Sequence, residues 1–297
     1  MTDPTKPASV LLFLGQTGTG KTELAKALAR FYSTSKRLKT YTLGNCVEAH
    51  SVSTIIGVPP GYVGHDQGGR LVNDLIADPY CVFLLDEADK AHPDVLQPFL
   101  NLFDEGWVCD QRGVRAYGNK SIFILTSNVG QRMIADLVQQ QKTPQEIAAR
   151  MKEALSQIRH SKSDRPVFTP EFLARIKRVI VFNPLDGEAM AGISRKLLAE
   201  LAQSWEAKRS KRLEVPEALA LYIGAQGHRL NEQSGSKEGG RIIRKLVSEW
   251  VESKLQREAS QRPEEYKRCS AVALEFTAPT VQPETAPVPP DVSVAFR

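Results

Sequence analysis

Cysteine is scarce, and the four present stand apart. Cys46, Cys81, Cys109 and Cys269 form no C-x-x-C pair. That excludes a disulfide-stapled scaffold and a cysteine-built zinc site, and it fits a reducing compartment. Long apolar runs are also missing: none approaches the roughly 18 residues that a membrane span needs. The run "VLLFLG" is too short for a signal-peptide core, and no cleavage-site pattern follows it. The chain is therefore expected in the cytoplasm, with no membrane partner. Charge of one sign is scarce as well, since 39 Lys+Arg against 34 Asp+Glu leave a formal +5. Short basic clusters such as Lys208, Arg209, Lys211 and Arg212 read as solvated helix faces. With so mild a balance and no helix-turn-helix pattern, a nucleic-acid partner or a DNA-associated role is disfavoured. No internal repeat is present.

What remains is an ordinary globular composition, 41% hydrophobic and 25% charged over 297 residues, long enough for two domains. Residues 9–14 are almost continuously apolar and end at Gly15, the signature of a strand buried on both faces of a parallel sheet. Similar runs are "YCVFLLD" (80–86), "SIFILTS" (121–127) and "RVIVFN" (178–183), with "TYTLG" (40–44) a weaker fifth. Leu24, Leu28 and Phe31 recur at helical spacing after the first strand. Further helices are expected near 68–77, 93–104 and 143–157. Strands alternating with helices argue an α/β fold: a three-layer αβα domain with a parallel sheet. After Pro184 the pattern becomes helical, with Ile193, Leu197, Leu201 and Trp205 on one face and Ile242, Leu246 and Trp250 on another. The expected organisation is a large domain over 1–184 and a small, mostly helical domain over 185–277. Within the latter, "AVALEFT" (271–277) reads as a terminal strand. Five prolines between Pro279 and Pro290 make 278–297 a flexible, Pro-rich tail.

The stretch "LGQTGTGKT" (14–22) carries the first chemistry. Gly15, Gly20, Lys21 and Thr22 fit G-x-x-x-x-G-K-[ST], the phosphate-binding loop, with a strand before it and a helix after it. Glycines let the backbone of Gly15, Gln16, Thr17, Gly18, Thr19 and Gly20 wrap tightly and aim its N–H groups at phosphate oxygens. Lys21 is expected to reach the β- and γ-phosphates of ATP, and the Thr22 hydroxyl to ligate Mg²⁺. The complementary acids close the run "VFLLDE" (82–87). Asp86 would hold Mg²⁺ through its water shell, and Glu87 would orient and polarise the attacking water.

Four further segments, "IIGVPPGYVGHDQGG" (55–69), "KAHPDV" (90–95), "LTSNVG" (125–130) and "FTPEFLARI" (168–176), resemble the Clp branch of the AAA+ ATPases. The likeness is to the second ATPase ring of ClpB-type disaggregases. It runs from about residue 9 to 258 and includes "EGGRIIRKL" (238–246), which is similar to the family's second sensor segment. It implies an AAA+ large domain followed by a helical lid, and a homo-oligomer that forms a hexameric ring with ATP. It also implies residue roles. Asn128 matches the first sensor, beside the γ-phosphate and the lytic water. Arg175 matches the arginine finger that reaches the neighbouring subunit's ATP, where a fixed guanidinium stabilises charge developing on the transferred phosphoryl group. Arg241 matches the second sensor. Gly61, Tyr62, Val63 and Gly64 match the pore loop that grips a protein substrate. Prolines stiffen its approach, glycines flank its tip, and an aromatic can stack on any extended chain. Trp107 lies in "DEGWVCDQRGVRA", which resembles the family's second pore-facing loop.

The sequence also departs from that family. "TLGN" (42–45) stands where a D-M-S-E pattern is usual, and Gln16 replaces the usual proline of the phosphate loop. These changes bear on coupling between nucleotide and pore loop rather than on ATP binding. Segment 131–167 lacks the I-G-F or I-G-L tripeptide of protease-docking relatives, so no ClpP-type peptidase is expected as partner. The sequence carries one ATPase unit, with no adaptor domain, first ring or coiled-coil middle domain, which implies a single ring. "EAHSVSTIIGVPPGYVG" and "LFDEGW" also look like ClpV-type sheath-remodelling ATPases. The leading expectation is an ATP-driven remodeller threading polypeptide through a central pore. The alternative is a nucleotide-dependent switch or scaffold that recruits an adaptor or another partner, docking it on its tail, without threading.

Overall fold

The computed structural model describes residues 3–235, 238–277 and 289–297. It divides into two compact units. One holds residues up to Gly15 and from Gly20 to Asn183, and the other holds Gln16–Thr19 and 184–297.

In the first unit, β1 (Ser9–Gly15) leads through the glycine loop into α1 (Lys21–Tyr32), and β2 (Leu38–Thr42) follows. Short α2 (Ser53–Ile56) and α3 (Arg70–Ala77) precede β3 (Val82–Asp86) and α4 (Pro93–Glu105). A hairpin of β4 (Trp107–Cys109) and β5 (Arg115–Tyr117) comes next, then β6 (Ile122–Ser127), α5 (Gln131–Gln139), α6 (Pro144–Ser156), α7 (Pro170–Ala174) and β7 (Arg178–Phe182). Five strands form one parallel sheet in the order β2-β3-β6-β1-β7. The central strands β3 and β6 are buried along nearly their whole length because helices cover both faces. On one face the rings of Phe83 and Phe123 stack at 4.8 Å, with Tyr41, Phe99 and Phe103 around them. On the other, Phe13, Val82, Leu84 and Ile124 pack on Ala25 and Ala29 of α1.

The five expected buried runs are the five strands of this sheet, although the weakest lies at 38–42 rather than 40–44. Two other local readings need correction. The helix after β1 forms, but it buries its small residues Ala25 and Ala29, leaving Leu24 44% and Phe31 91% exposed. A helix approaches a sheet closely only where its side chains are short, so Ala25 and Ala29 take the contact, and of the expected stripe Leu28 alone packs there, half-buried. The hairpin β4–β5 was also not anticipated; its strands are only three residues long, too short for a period of two to register.

The second unit contains α8 (Gly187–Arg209), β8 (Arg212–Glu214), α9 (Glu217–Gln233), α10 (Arg241–Val247), α11 (Ser253–Gln261), α12 (Pro263–Arg268), β9 (Ala271–Thr277) and β10 (Asp291–Phe296). The deeply buried face of α8 runs through Met190, Ser194, Leu198 and Trp205, while Ile193, Leu197 and Leu201 flank it half-buried. The helix is therefore rotated about one position from the expected stripe. β9 is the centre of a three-stranded sheet, not a terminal strand: β8 pairs with it in parallel and β10 antiparallel. Residues 291–296 are thus a strand with Val292 and Val294 buried, not the end of a flexible tail. Alternating valines after the last proline supply the strand period that the proline-rich composition masked. The Pro-rich stretch 278–288 lies outside the described residues.

Candidate functional site

The glycine loop has the backbone its sequence demands. Gly15, Gly18 and Gly20 take φ of +148°, +76° and +99°, values that side chains other than glycine rarely adopt. At Gly15 a Cβ would also stand 2.6 Å from the Phe182 carbonyl oxygen, so the loop leaves β1 hard against β7. Within the second unit, the loop is closed by Thr19 Oγ1 donating to Gln16 O at 2.8 Å, and Gly240 N–H donates to Gly18 O at 3.0 Å. Lys21, in the first turn of α1, is only 8% exposed, so its charge must be met inside the protein. Its Nζ donates to Gly15 O at 2.6 Å and to Asn128 Oδ1 at 2.7 Å. Asn128 follows directly on β6, the strand beside β1, so the expected first sensor and the loop lysine are in direct contact.

The acidic pair closes β3, on the other side of β6. Glu87 takes φ +54°, a left-handed conformation costing about 1–2 kcal/mol for an L residue. Thr126 of β6 holds it there: Thr126 Oγ1 accepts the Glu87 N–H at 2.9 Å and donates to Asp86 Oδ1 at 2.6 Å. One buried hydroxyl thus ties both carboxylate residues to the neighbouring strand. The Glu87 side chain pairs with Lys90 at 2.9 Å, and that hydrogen bond raises Lys90 above the usual lysine range. Gly44 lies against it, where any Cβ would overlap Glu87 Oε2. The unusual "TLGN" segment is therefore a wall of the acidic pair. Burial pushes the Asp89 carboxyl up, against an opposing hydrogen bond from Ser127.

This donor set fits a nucleotide with Mg²⁺. A loop of left-handed glycines and a buried ammonium suit phosphates, and the exposed Thr22 hydroxyl and half-buried Asp86 carboxylate are hard oxygen ligands. Among the described residues no cluster of three or more His, Cys, Asp or Glu could hold a metal unaided. None of their helices is long and apolar enough to cross a membrane.

The expected pore loop is a second, separate feature of the same unit. Gly61 and Gly64 take φ of +89° and +93°, and between them Tyr62 and Val63 are 69% and 102% exposed. Val63 is thus fully open and Tyr62 largely so. Its base is tied by Asp110, a buried carboxylate that sequence reasoning missed. Asp110 Oδ2 accepts the Gly69 N–H at 3.2 Å and Arg112 Nε at 2.9 Å, and Oδ1 accepts the N–H groups of Arg112 and Val114 at 2.9 and 3.0 Å. Arg112 in turn donates to Asp66 O and Asn73 Oδ1. Burial alone would raise Asp110, but these bonds hold it below the usual carboxylate range. The Tyr62 loop and the β4–β5 turn are therefore joined at one acid. Trp107 stands at the start of β4 rather than in that turn, and the Arg115 guanidinium covers its ring at 4.3 Å.

Arg175, immediately after α7, makes no hydrogen bond or ion pair with Lys21, Asp86, Glu87 or Asn128 among the described residues. Its Nη2 donates instead to Asp104 Oδ2 at 2.9 Å. Arg241 opens α10 in the second unit and is exposed. Thr126, Gly44, Lys90, Asp110 and Arg112 were not read as site residues; the usable signals were the threonine after four apolar residues of β6 and the unusual "TLGN" around Gly44.

The profile of the family described as AAA domain (Cdc48 subfamily) matches residues 6–179. Chaperone protein ClpB2, chloroplastic, of Oryza sativa subsp. japonica is 37% identical over 86% of this chain and 25% of that protein. Chaperone protein ClpB of Pseudomonas putida is 36% identical over 86% of this chain and 28% of that protein. The chain spans about a quarter of the length of these curated relatives. Among solved structures, a closed-state cryo-EM reconstruction of Hsp104 with ATPγS and FITC casein aligns with a TM-score of 0.75 at 26% identity, covering 99% of this chain and 46% of that one.

Proposed function

This chain belongs to the AAA domain family of the Cdc48 subfamily, and from that membership we propose that it hydrolyses ATP as part of a ring that pulls on polypeptides. The observation that carries the reading is that Lys21, Asp86, Glu87 and Asn128 converge at the ends of the adjacent strands β1, β3 and β6. The glycine loop and Lys21 bind the phosphates, with the ammonium leaving Gly15 O and Asn128 Oδ1 for phosphate oxygens. Thr22 and Asp86 hold Mg²⁺, which neutralises phosphate charge when bound. Glu87, fixed by Thr126, takes a proton from the attacking water, and Asn128 orients that water. Arg175 supplies its charge to the nucleotide of the adjacent subunit, and Arg241 senses the nucleotide from the second unit. Tyr62 and Val63 grip the substrate chain. Exposed aromatic and branched side chains at a glycine-flanked tip suit this because they gain by covering any extended backbone. The relatives' printed names support a protein substrate: chaperones, and an Hsp104 reconstruction containing casein.

Two measurements test this. The solution mass of Glu87→Gln, with and without ATP and Mg²⁺, is expected near six subunits with ATP only. Tyr62→Ala is expected to keep ATPase activity and lose unfolding of a model protein substrate. Unchanged unfolding by Tyr62→Ala refutes threading, and a monomer under all conditions refutes the ring.

A further inference from the structure

We propose that Asp104 is the positioning residue for Arg175, aiming its guanidinium without consuming it. The inference rests on the reading of Arg175 as an arginine finger acting on a neighbouring subunit.

Two neighbouring contacts fix the geometry. α7 is capped by Thr169, whose Oγ1 accepts the Phe172 N–H at 3.2 Å, and the Phe172 ring packs on Phe103 of α4 at 5.7 Å. Asp104 is the residue after Phe103, and Arg175 lies one helical step past Phe172. The aromatic pair therefore sets α7 on α4 so that the carboxylate and the guanidinium meet, Nη2 to Oδ2 at 2.9 Å. Arg175 Nε is buried with no hydrogen-bond partner among the described residues, so the stem is enclosed and the cation is met only at Nη2. An arginine side chain has many rotamers, and a single fixed acceptor removes most of that freedom.

A carboxylate facing arginine commonly takes both terminal nitrogens in a parallel fork. Here it does not, because the other oxygen is shared: Lys6 Nζ lies 3.4 Å from Asp104 Oδ1. The segment carrying Lys6 is pinned to this place. Lys177 Nζ donates to the carbonyl oxygens of Pro7 and Ala8 at 2.9 and 3.2 Å, and a Cβ at Gly106 would overlap Thr5 O. Asp104 thus serves two cations. Arg175 keeps Nη1 free of hydrogen bonds among the described residues and keeps a charge that one shared acid does not cancel. A finger so held is directed yet still able to bond a phosphate oxygen.

The test is ATP hydrolysis by assembled rings. Asp104→Ala is expected to lower kcat about tenfold while KM for ATP stays within about twofold, because the finger acts on the transition state. Asp104→Asn, which keeps an oxygen acceptor for Nη2, is expected to stay within about threefold of wild type, whereas Asp104→Leu, which fills a similar volume without an acceptor, is expected to lose about tenfold and carries the test if the alanine protein does not fold. Subunits of Asp104→Ala are then mixed with Glu87→Gln subunits, which hydrolyse poorly but bring an intact Asp104–Arg175 pair. Hydrolysis per Asp104→Ala subunit is expected to rise in the mixture, since the repaired finger comes from the neighbour. A purely structural defect would not be repaired in this way. Wild-type kcat in Asp104→Ala, or no gain on mixing, overturns the proposal. Arg175→Ala mixed with Glu87→Gln is the reference. If it gains and Asp104→Ala does not, the positioning role fails alone. If neither gains, the trans-acting finger itself fails.

Discussion

Replacing Thr126 by valine tests the acidic pair most directly, because the change keeps volume and removes one hydroxyl. Thr126 is 2% exposed, so no bulk water replaces what is lost. The Glu87 N–H loses its acceptor, which costs about 1–3 kcal/mol when the group stays buried. Asp86 Oδ1, a charged acceptor, loses the hydroxyl that donates to it, a bond worth about 1.5–3 kcal/mol. Asp86 and Glu87 are half-buried rather than sealed, and partial hydration recovers some of this, leaving a net destabilisation of roughly 3 kcal/mol. The catalytic loss is separable from the loss of stability. Glu87 sits at φ +54°, a conformation about 1–2 kcal/mol uphill, and the Thr126 bond helps hold its backbone there, together with the Lys90 N–H that donates to Glu87 O at 3.0 Å. Once released, it swings its carboxylate away from the water it should deprotonate. A displacement of about 1 Å costs on the order of 10²-fold in rate. Single-turnover hydrolysis should therefore fall roughly 10- to 100-fold, while equilibrium ATP binding, which depends on the loop and Lys21, changes only a few-fold. Thr126→Ser keeps the oxygen and should recover most of the rate. A valine variant hydrolysing ATP within about twofold of wild type would refute the idea that this hydroxyl orders the acids.

Gly44→Ala places a methyl group where Glu87 Oε2 lies, so kcat should fall several-fold with little change in Tm; an unchanged kcat measured in steady state would show that the "TLGN" wall does not constrain the acid. Asp110 has its carboxyl held low in the folded state, so its contribution is complete above the unfolded pKa of about 3.9 and is lost as pH falls through the lower folded value. The NMR amide signals of Gly69, Arg112 and Val114 should stay in place down to about pH 4 and move together below it, and a midpoint near neutrality would contradict this. Phe31→Ser should leave the urea midpoint of the folded chain unchanged within about 0.5 kcal/mol despite the size of the side chain, since Phe31 is 91% exposed; a loss above about 2 kcal/mol would mean that it packs.

The sheet was legible because a strand buried on both faces has no polar positions to blur it, and "VLLFL", "VFLLD" and "SIFILTS" are of this kind. Helices could be found but not always oriented. In α1 the size of the apolar residues pointed to Leu24 and Phe31, whereas closeness to the sheet selected Ala25 and Ala29. Hydrophobicity alone cannot express that selection, because the gain comes from distance of approach rather than from apolar area. The strand β10 was hidden for another reason: the prolines upstream dominate the composition of its window, and its partner β9 is supplied by a different segment.

The site divides along the same line. The residues proposed to meet the nucleotide, from Gly15 to Thr22 with Asp86 and Glu87, come in contiguous motifs because a loop or a strand end must present them together. Residues that hold those in place come from other strands and loops. Thr126 reaches Asp86 and Glu87 from the next strand, and Gly44 reaches Glu87 from the end of β2. Asp110 gathers Gly69, Arg112 and Val114 from two loops. None has a spacing that marks it, since each is a single polar or small residue whose partner lies 39 or more positions away or in its own turn. What identifies them is a physical constraint that only the folded chain displays. A buried hydroxyl or carboxylate must have every bond accounted for, and at Thr126 and Asp110 the bonds lead to the acidic pair and to the base of the Tyr62 loop. Departures from a family pattern are best judged the same way. "TLGN" replaces charged residues, yet its Gly44 is shaped to the Glu87 side chain, so on the proposed function the departure reads as an adjustment of the acid's position rather than as loss of the ATPase.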